Sequence, residues 1–202
     1  YAGGGQYQVS FVGEIAGSYS MDISLVMGDT GVSQSKRHIG CGATTPCSPF
    51  AVQVIPGSAV AETSDAFAGS GLVSATAGLS NSFKIQAKDA YGNNAISSNA
   101  AFKVVLQSLA DSSIRVPAVV VEGTDGTYDA IYTLEIAGSY EILVTLNGGI
   151  VQTLGSLQPS TIWCLHGSVY GPRSTTMGPG LAGAVSGARA FINIESRDAF
   201  GN

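Results

Sequence analysis

The 202-residue sequence predicts an all-β chain of antiparallel β-sandwiches arranged in tandem. Three observations carry that expectation: the chain repeats itself at a domain-sized period, its apolar residues alternate with polar ones, and Gly, Asn and Asp punctuate it at short intervals. Ala16-Gly17-Ser18-Tyr19 returns as Ala137-Gly138-Ser139-Tyr140, 121 residues on, and Asp89-Ala90-Tyr91-Gly92-Asn93 returns as Asp198-Ala199-Phe200-Gly201-Asn202, 109 residues on. Their flanks agree. Gly5-Gln6-Tyr7 precedes the first Ala-Gly-Ser-Tyr as Gly126-Thr127-Tyr128 precedes the second, and Gly69-Ser70-Gly71-Leu72 is answered by Gly178-Pro179-Gly180-Leu181. A period of roughly one hundred residues is one domain per repeat. The order of the blocks divides the chain into the C-terminal part of one repeat over 1–57, a complete repeat over 58–167 and the N-terminal part of the next over 168–202. The unequal offsets put a longer connection after the first Ala-Gly-Ser-Tyr, in a surface loop, where closure entropy grows slowly with length. The flanking parts are too short to close cores of their own, so the chain is expected to be an excerpt of a longer one, with any leader outside it.

Seven strands are expected in the complete repeat, at 71–77, 82–88, 101–108, 116–122, 127–135, 139–146 and 150–154. The first begins inside the Gly69-Ser70-Gly71-Leu72 block. The second holds Phe83-Lys84-Ile85-Gln86-Ala87-Lys88, in which every other residue is apolar, so one face is buried and the other is wet. Ile192-Asn193-Ile194-Glu195-Ser196-Arg197 copies that pattern. Phe102-Lys103-Val104-Val105-Leu106 and Tyr140-Glu141-Ile142-Leu143-Val144-Thr145-Leu146 are richer in apolar residues, as befits strands near a sandwich centre. Tyr91-Gly92-Asn93-Asn94, Thr124-Asp125-Gly126 and Asn147-Gly148-Gly149 separate the strands with residues that tolerate positive φ. No segment carries the 3.6-residue period of an amphipathic helix.

Charged residues make up only 11% of the chain and apolar ones 45%, the composition of half-buried pleated structure with neutral surfaces. Nine basic residues against fourteen acidic ones leave a net charge of −5, and Lys36-Arg37-His38 is the one basic cluster. Nucleic acid is therefore not an expected partner, since neutralising phosphates needs a basic stripe. The apolar run Val116 to Val121 is far too short to span a membrane. Cys41 and Cys47 bracket the turn-rich Gly42-Ala43-Thr44-Thr45-Pro46, where a small disulfide ring is geometrically feasible; two unlinked loop thiols are the alternative. No Cys-x-x-Cys or Cys/His ligand set exists, and no metal site and no cofactor is expected.

Three groups of side chains invite a functional reading. Tyr128, Tyr132 and Tyr140 could stack a ligand, but tyrosines at strand ends beside glycine turns more readily close a sandwich, each hydroxyl finding a backbone partner. Asp65, Asp89, Asp125 and Asp198 could supply oxygen ligands to calcium, yet each stands alone beside turn residues, where an Asp ordinarily caps its own loop. Cys164 and His166 pair a nucleophile with a base on paper, without a third orienting group. No catalytic residue is expected, and the segment is not expected to be an enzyme.

In sum of its motifs the sequence resembles the filamin-type immunoglobulin-like repeat. Asp125-Gly126-Thr127-Tyr128, Tyr132 and Ala137-Gly138-Ser139-Tyr140-Glu141-Ile142 resemble that repeat's "DGxYxxxYxxxxxGxYxIxV" stretch. Cys47-Ser48-Pro49-Phe50-Ala51-Val52-Gln53-Val54 resembles its "GSPFxVxV" last strand, and Tyr170-Gly171-Pro172 with Gly178-Pro179-Gly180-Leu181 its opening "GPGL". Two departures stand out: Gly155-Ser156-Leu157-Gln158-Pro159 occupies the place where the complete repeat should carry Cys-Ser-Pro-Phe, and Asp89-Ala90-Tyr91-Gly92-Asn93 is more typical of divergent repeats in large plant, algal and protist proteins. There is no calponin-like domain, so actin cross-linking is not carried over. The resemblance implies a groove that accepts an extended partner strand beside the third and fourth strands, with Phe102, Val104, Val119 and Val121 as its candidate residues. It further implies a structural or adhesive spacer and docking surface whose partners are other proteins or neighbouring repeats. The low charge and the Cys41/Cys47 loop lean towards an extracellular or cell-surface setting, with a ciliary or cytoskeletal scaffold as the alternative.

Overall fold

The computed structural model describes residues 5, 7–27, 35–40, 47–96, 100–151 and 161–202. The chain forms two compact units, Tyr1–Gly57 and Ser58–Asn202. In the first, β1 (Gly17–Met21) pairs antiparallel with β4 (Phe50–Val54), and β2 (Ser24–Met27) pairs with β3 (Ser35–His38). The buried Ser48 fixes the entry to β4: its Oγ accepts the Ile23 N–H at 2.7 Å and donates to Asp22 Oδ1 at 2.6 Å. Cys47 is exposed, and Cys41 lies outside the described residues, so the Cys41/Cys47 ring does too.

The second unit contains a two-sheet sandwich. Its strands are β5 (Asp65–Phe67), β6 (Ser74–Thr76), β7 (Ser80–Gln86), β8 (Phe102–Ser108), β9 (Arg115–Pro117), β10 (Val119–Glu122), β11 (Thr127–Thr133), β12 (Gly138–Leu146), β13 (Gly149–Ile150) and β14 (Thr161–Leu165). One sheet runs β10-β11-β7-β5; the other runs β6-β14-β12-β8-β9, with β13 folded back on β12. All pairings are antiparallel except β6 with β14. That arrangement, with a parallel pair joining first and last strands, is of the immunoglobulin type. A further hairpin joins β15 (Thr175–Met177) to β16 (Asn193–Glu195). Among the described residues there is no α-helix, only three 3₁₀ turns.

The period-two pattern becomes the core directly. Phe83 and Ile85 of β7, Val104 and Leu106 of β8, Tyr128, Ala130 and Tyr132 of β11, and Tyr140, Ile142 and Val144 of β12 are buried, and their strand neighbours are more exposed, apart from the buried Gln86. Phe102 reaches across the sandwich to Tyr128, ring centroids 4.9 Å apart. Between β12 and β13, Asn147 (φ 50°) and Gly148 (φ 90°) form the two-residue hairpin turn whose twist matches the flanking strands.

Three elements differ from the sequence expectation, each for a long-range reason. The expected strand 71–77 is only the short β6, paired with β14, because the Ser70–Leu72 3₁₀ turn takes up its start; before that turn β5, which was not expected, pairs with β7. The expected strand 116–122 is likewise divided: β9 pairs with β8, and after Pro117 β10 crosses to pair with β11. The expected strand at 150–154 is only the short β13 within the described residues, and the strand that closes the second sheet is β14. β14 is the counterpart of β4, while the place where the complete repeat should carry Cys-Ser-Pro-Phe lies outside the described residues. Gly17 pairs with Val54 and Tyr19 with Val52, as Gly138 pairs with Cys164 and Tyr140 with Ile162.

Tyr140 closes the sandwich through a tyrosine corner: its hydroxyl donates to the Ile136 carbonyl at 2.9 Å, and Tyr19 donates to the Ile15 carbonyl at 2.8 Å in the same way. Removing the hydroxyl with Tyr140→Phe leaves a part-buried carbonyl short of a donor. The variant is expected to lose about 0.5–1.5 kcal/mol in urea unfolding with an unchanged m-value.

Candidate functional site

The four candidate groove residues separate into two pairs. Phe102 and Val104 point into the core of the sandwich, at 7% and 2% exposure. Val119 and Val121 stand exposed on β10, at 65% and 49%, while Val120 between them packs against the core. The outer edge of β8 is already taken by the chain itself, through pairing with Arg115–Pro117 and the Ala118 N–H donated to the Val104 carbonyl at 2.9 Å. Among the described residues β10, which carries Val119 and Val121, is one of the edge strands of the sandwich; β5, β6 and β9 are the others. A single edge residue signal was legible in the sequence, the Val119-Val120-Val121 run, but its division into inward and outward members was not.

The tyrosine hydroxyls do find protein partners. Tyr132 donates to the Gly71 carbonyl, and Tyr128 accepts the Ala100 N–H at 3.1 Å while donating to Glu122 Oε1 at 3.2 Å. Burial, and secondarily the neighbouring Cys164, push the Tyr132 and Tyr140 hydroxyls above the ordinary phenol range. Cys164 is fully buried on the core face of β14, whereas His166 lies beyond the end of that strand, exposed, with Nδ1 3.0 Å from the Gly167 carbonyl oxygen, so the thiol is withdrawn from the surface on which the imidazole stands. Burial, then the Asp198 carboxylate, raise the Cys164 thiol, which makes it a poor nucleophile.

The acidic residues serve loops. Asp65 pairs with Lys88 at 3.3 Å, and Asp125 sits in the turn before β11 with φ 55°. Among the described residues no three acidic, histidine or cysteine side chains gather as a metal site would require. Asp89 and Asp198 organise two loops of the same internal geometry. Asp89 Oδ1 accepts the Tyr91 and Asn93 N–H groups at 3.0 and 2.9 Å, and Asp198 Oδ1 accepts those of Phe200 and Asn202 at 3.0 and 2.9 Å. In each loop the closing Asn amide returns to the same Asp, at 2.9 Å from Asp89 Oδ2 and 2.8 Å from Asp198 Oδ2. Upstream, Ser64 Oγ donates to the Val60 carbonyl and accepts the Lys88 N–H, as Ser174 Oγ donates to the Tyr170 carbonyl and accepts the Arg197 N–H. The two serines were not distinguishable in the sequence, because their surroundings, Glu62-Thr63-Ser64 and Arg173-Ser174-Thr175, share too little.

Burial alone would raise the Asp198 carboxyl. The donors converging on it, from the Asn202 amide and the Gly167, Asn202 and Phe200 N–H groups, outweigh that effect and hold it well below the usual carboxylate range.

No curated protein matches the chain. Among solved structures, the chain is similar to FdeC, an adhesin of Escherichia coli, with 19% identity and a TM-score of 0.54 over 91% of this chain and 52% of that one. It is also similar to the Lin-41 filamin domain (21% identity, TM-score 0.45, 55% of this chain and 100% of that one) and to Yersinia pseudotuberculosis InvD (19% identity, TM-score 0.46, 93% and 52%). The chain thus spans about half the length of the FdeC and InvD structures. Residues 60–154 match the family described as the Filamin/ABP280 repeat, and with its two sheets and tyrosine corner the sandwich they build is a filamin-type immunoglobulin-like repeat.

Proposed function

We propose that this chain is a stretch of structural, adhesive tandem repeats, divided at 1–57, 58–167 and 168–202, that act as rigid spacers and protein-docking surfaces in a cell-surface or filamentous assembly. The observation that carries this reading is recurrence: the tyrosine corner appears at Tyr19 and Tyr140, and the Asp-centred loop at Asp89 and Asp198. A chain that rebuilds the same frame at a domain-sized interval is shaped for length and presentation, and chemistry needs convergent polar groups instead. The adhesive side of the proposal leans on the likeness to the FdeC adhesin and on the neutral, apolar-rich surface of the repeat.

Docking is assigned to the β10 edge, where backbone N–H and C=O groups border the exposed Val119 and Val121. Val119→Asp alters an exposed side chain, so it is expected to shift folding stability by less than about 0.5 kcal/mol. If β10 docks a partner strand, proteins cross-linked to the wild-type chain in its own cells will be lost from the folded Val119→Asp variant. Equal capture by both would remove the docking role and leave the spacer. Antibody labelling of intact against permeabilised cells decides the setting: labelling of intact cells is the expected result, and labelling only after permeabilisation would move the chain to a ciliary or cytoskeletal scaffold.

A further inference from the structure

The Asp198–Asn202 loop is seated on one end of the 58–167 sandwich. Asn202 Oδ1 accepts the Ala137 N–H at 2.9 Å, and Asn202 Nδ2 donates to the Glu135 carbonyl at 2.8 Å. Those two backbone groups flank Ile136, so the side-chain amide of Asn202 takes the place that a peptide group of an added strand would take. Asp198 Oδ2 accepts the Gly167 N–H at 2.7 Å, just beyond β14, and its carboxylate is 2% exposed as a residue. Phe200 completes the contact against Gly78, where an added Cβ would lie only 2.5 Å from the ring.

Every hydrogen bond in this contact that reaches the sandwich is made to its backbone. The loop therefore reads the shape of the chain at the sandwich end and asks little of its side chains. The loop does not have to be ordered by the contact either: Asp198 gathers Phe200, Gly201 and Asn202 through bonds internal to the five residues, and the Asp89 loop has the same internal bonds. A preassembled plug loses little conformational entropy on docking. Ala137 belongs to the recurring Ala-Gly-Ser-Tyr block, and Asn202 to the recurring Asp-Ala-aromatic-Gly-Asn block.

We infer that the two recurring blocks are the two halves of one repeat-to-repeat joint. The strand entry at Ala137, together with Gly78 and Gly167, is the socket at the end of a repeat, and the Asp-Ala-aromatic-Gly-Asn loop of the following repeat is the plug. This deepens the spacer proposal and rests on its tandem reading: the joint is what makes neighbouring repeats move as one body. It also gives a reason for these two blocks to recur, since a socket and a plug must keep their geometry together.

The joint is tested by amide hydrogen exchange and ¹⁵N relaxation on the full 202-residue chain, wild type against Asn202→Ala and Asp198→Asn. In the wild type the Ala137 and Gly167 amides are expected to be protected. Asn202→Ala is expected to speed exchange at Ala137 on the order of tenfold and to let residues 168–202 reorient separately, with Leu106 and Ile142 unchanged. The milder Asp198→Asn should act at Gly167 in the same direction. Wild-type Ala137 and Gly167 amides that exchange like open loop amides would overturn the joint and leave the tandem reading standing. Loss of protection at Leu106 and Ile142 together with Ala137 would show one indivisible fold, and would overturn the tandem reading and the joint with it.

Discussion

Phe83→Ala is expected to lower the stability of the β5–β14 sandwich by about 3–5 kcal/mol, read as a fall in the urea midpoint at constant m-value. Phe83 is 1% exposed, and its ring meets Tyr132 edge-on with centroids 6.4 Å apart. Truncation removes the transfer free energy of the ring and leaves a cavity that its neighbours cannot easily close. One wall is the Ser70–Leu72 turn, held against β7 by the Tyr132 hydroxyl on the Gly71 carbonyl; another is the aromatic ring of Tyr132 itself. A domain of this size is stable by only about 5–15 kcal/mol, so the loss is a large share of the total. Val119→Ala, on an exposed position of an edge strand, is the matched control and should change stability by less than about 0.5 kcal/mol. A Phe83→Ala loss no greater than that control would mean that Phe83 is not in the core.

Gly69→Val is expected to cost about 2–5 kcal/mol, from two separate sources. Gly69 has φ 126°, a conformation that a β-branched residue adopts only under strain. In addition, a Cβ at this position would lie 2.5 Å from the Ser82 carbonyl oxygen and 2.7 Å from Phe83 Cα, both backbone atoms in the middle of a sheet. Gly71→Ala isolates the steric part: its Cβ would lie 2.7 Å from the same carbonyl, without the positive φ. The expected order of urea midpoints is wild type, then Gly71→Ala, then Gly69→Val. Equal midpoints for the three proteins would refute the close approach. The same geometry recurs at Gly178 and Gly180, where an added Cβ would lie 2.8 Å from the Phe191 carbonyl oxygen in each case. The Gly-x-Gly-Leu block is thus a turn that lies directly on a strand, which is why its glycines return 109 residues later.

The fate of one apolar pattern shows where sequence and structure part. Phe83 and Ile85 are buried, whereas their counterparts Ile192 and Ile194 are 50% and 73% exposed. The alternation is the same in both places. Among the described residues no second sheet lies over β15–β16, and burial is a property of the pair of sheets.

The all-β class, the repeat period, the inward faces of β7, β8 and β12 and the turns at Asp125 and Asn147 were legible in the residues themselves, because period-two alternation and positive-φ propensity act over a few neighbours in the chain. The division of the fourth strand between two sheets and the presence of β5 were not, since a short piece of strand looks like any other edge strand until its partner is known. The closing strand β14 was hidden for a related reason: Thr161-Ile162-Trp163-Cys164-Leu165 carries a weak motif and a strong register, and the register is fixed by β12 and β6. Asn202 gives no local sign of its task. Its amide has meaning only opposite the Glu135 carbonyl and the Ala137 N–H, more than sixty residues away in sequence and brought to it by packing alone.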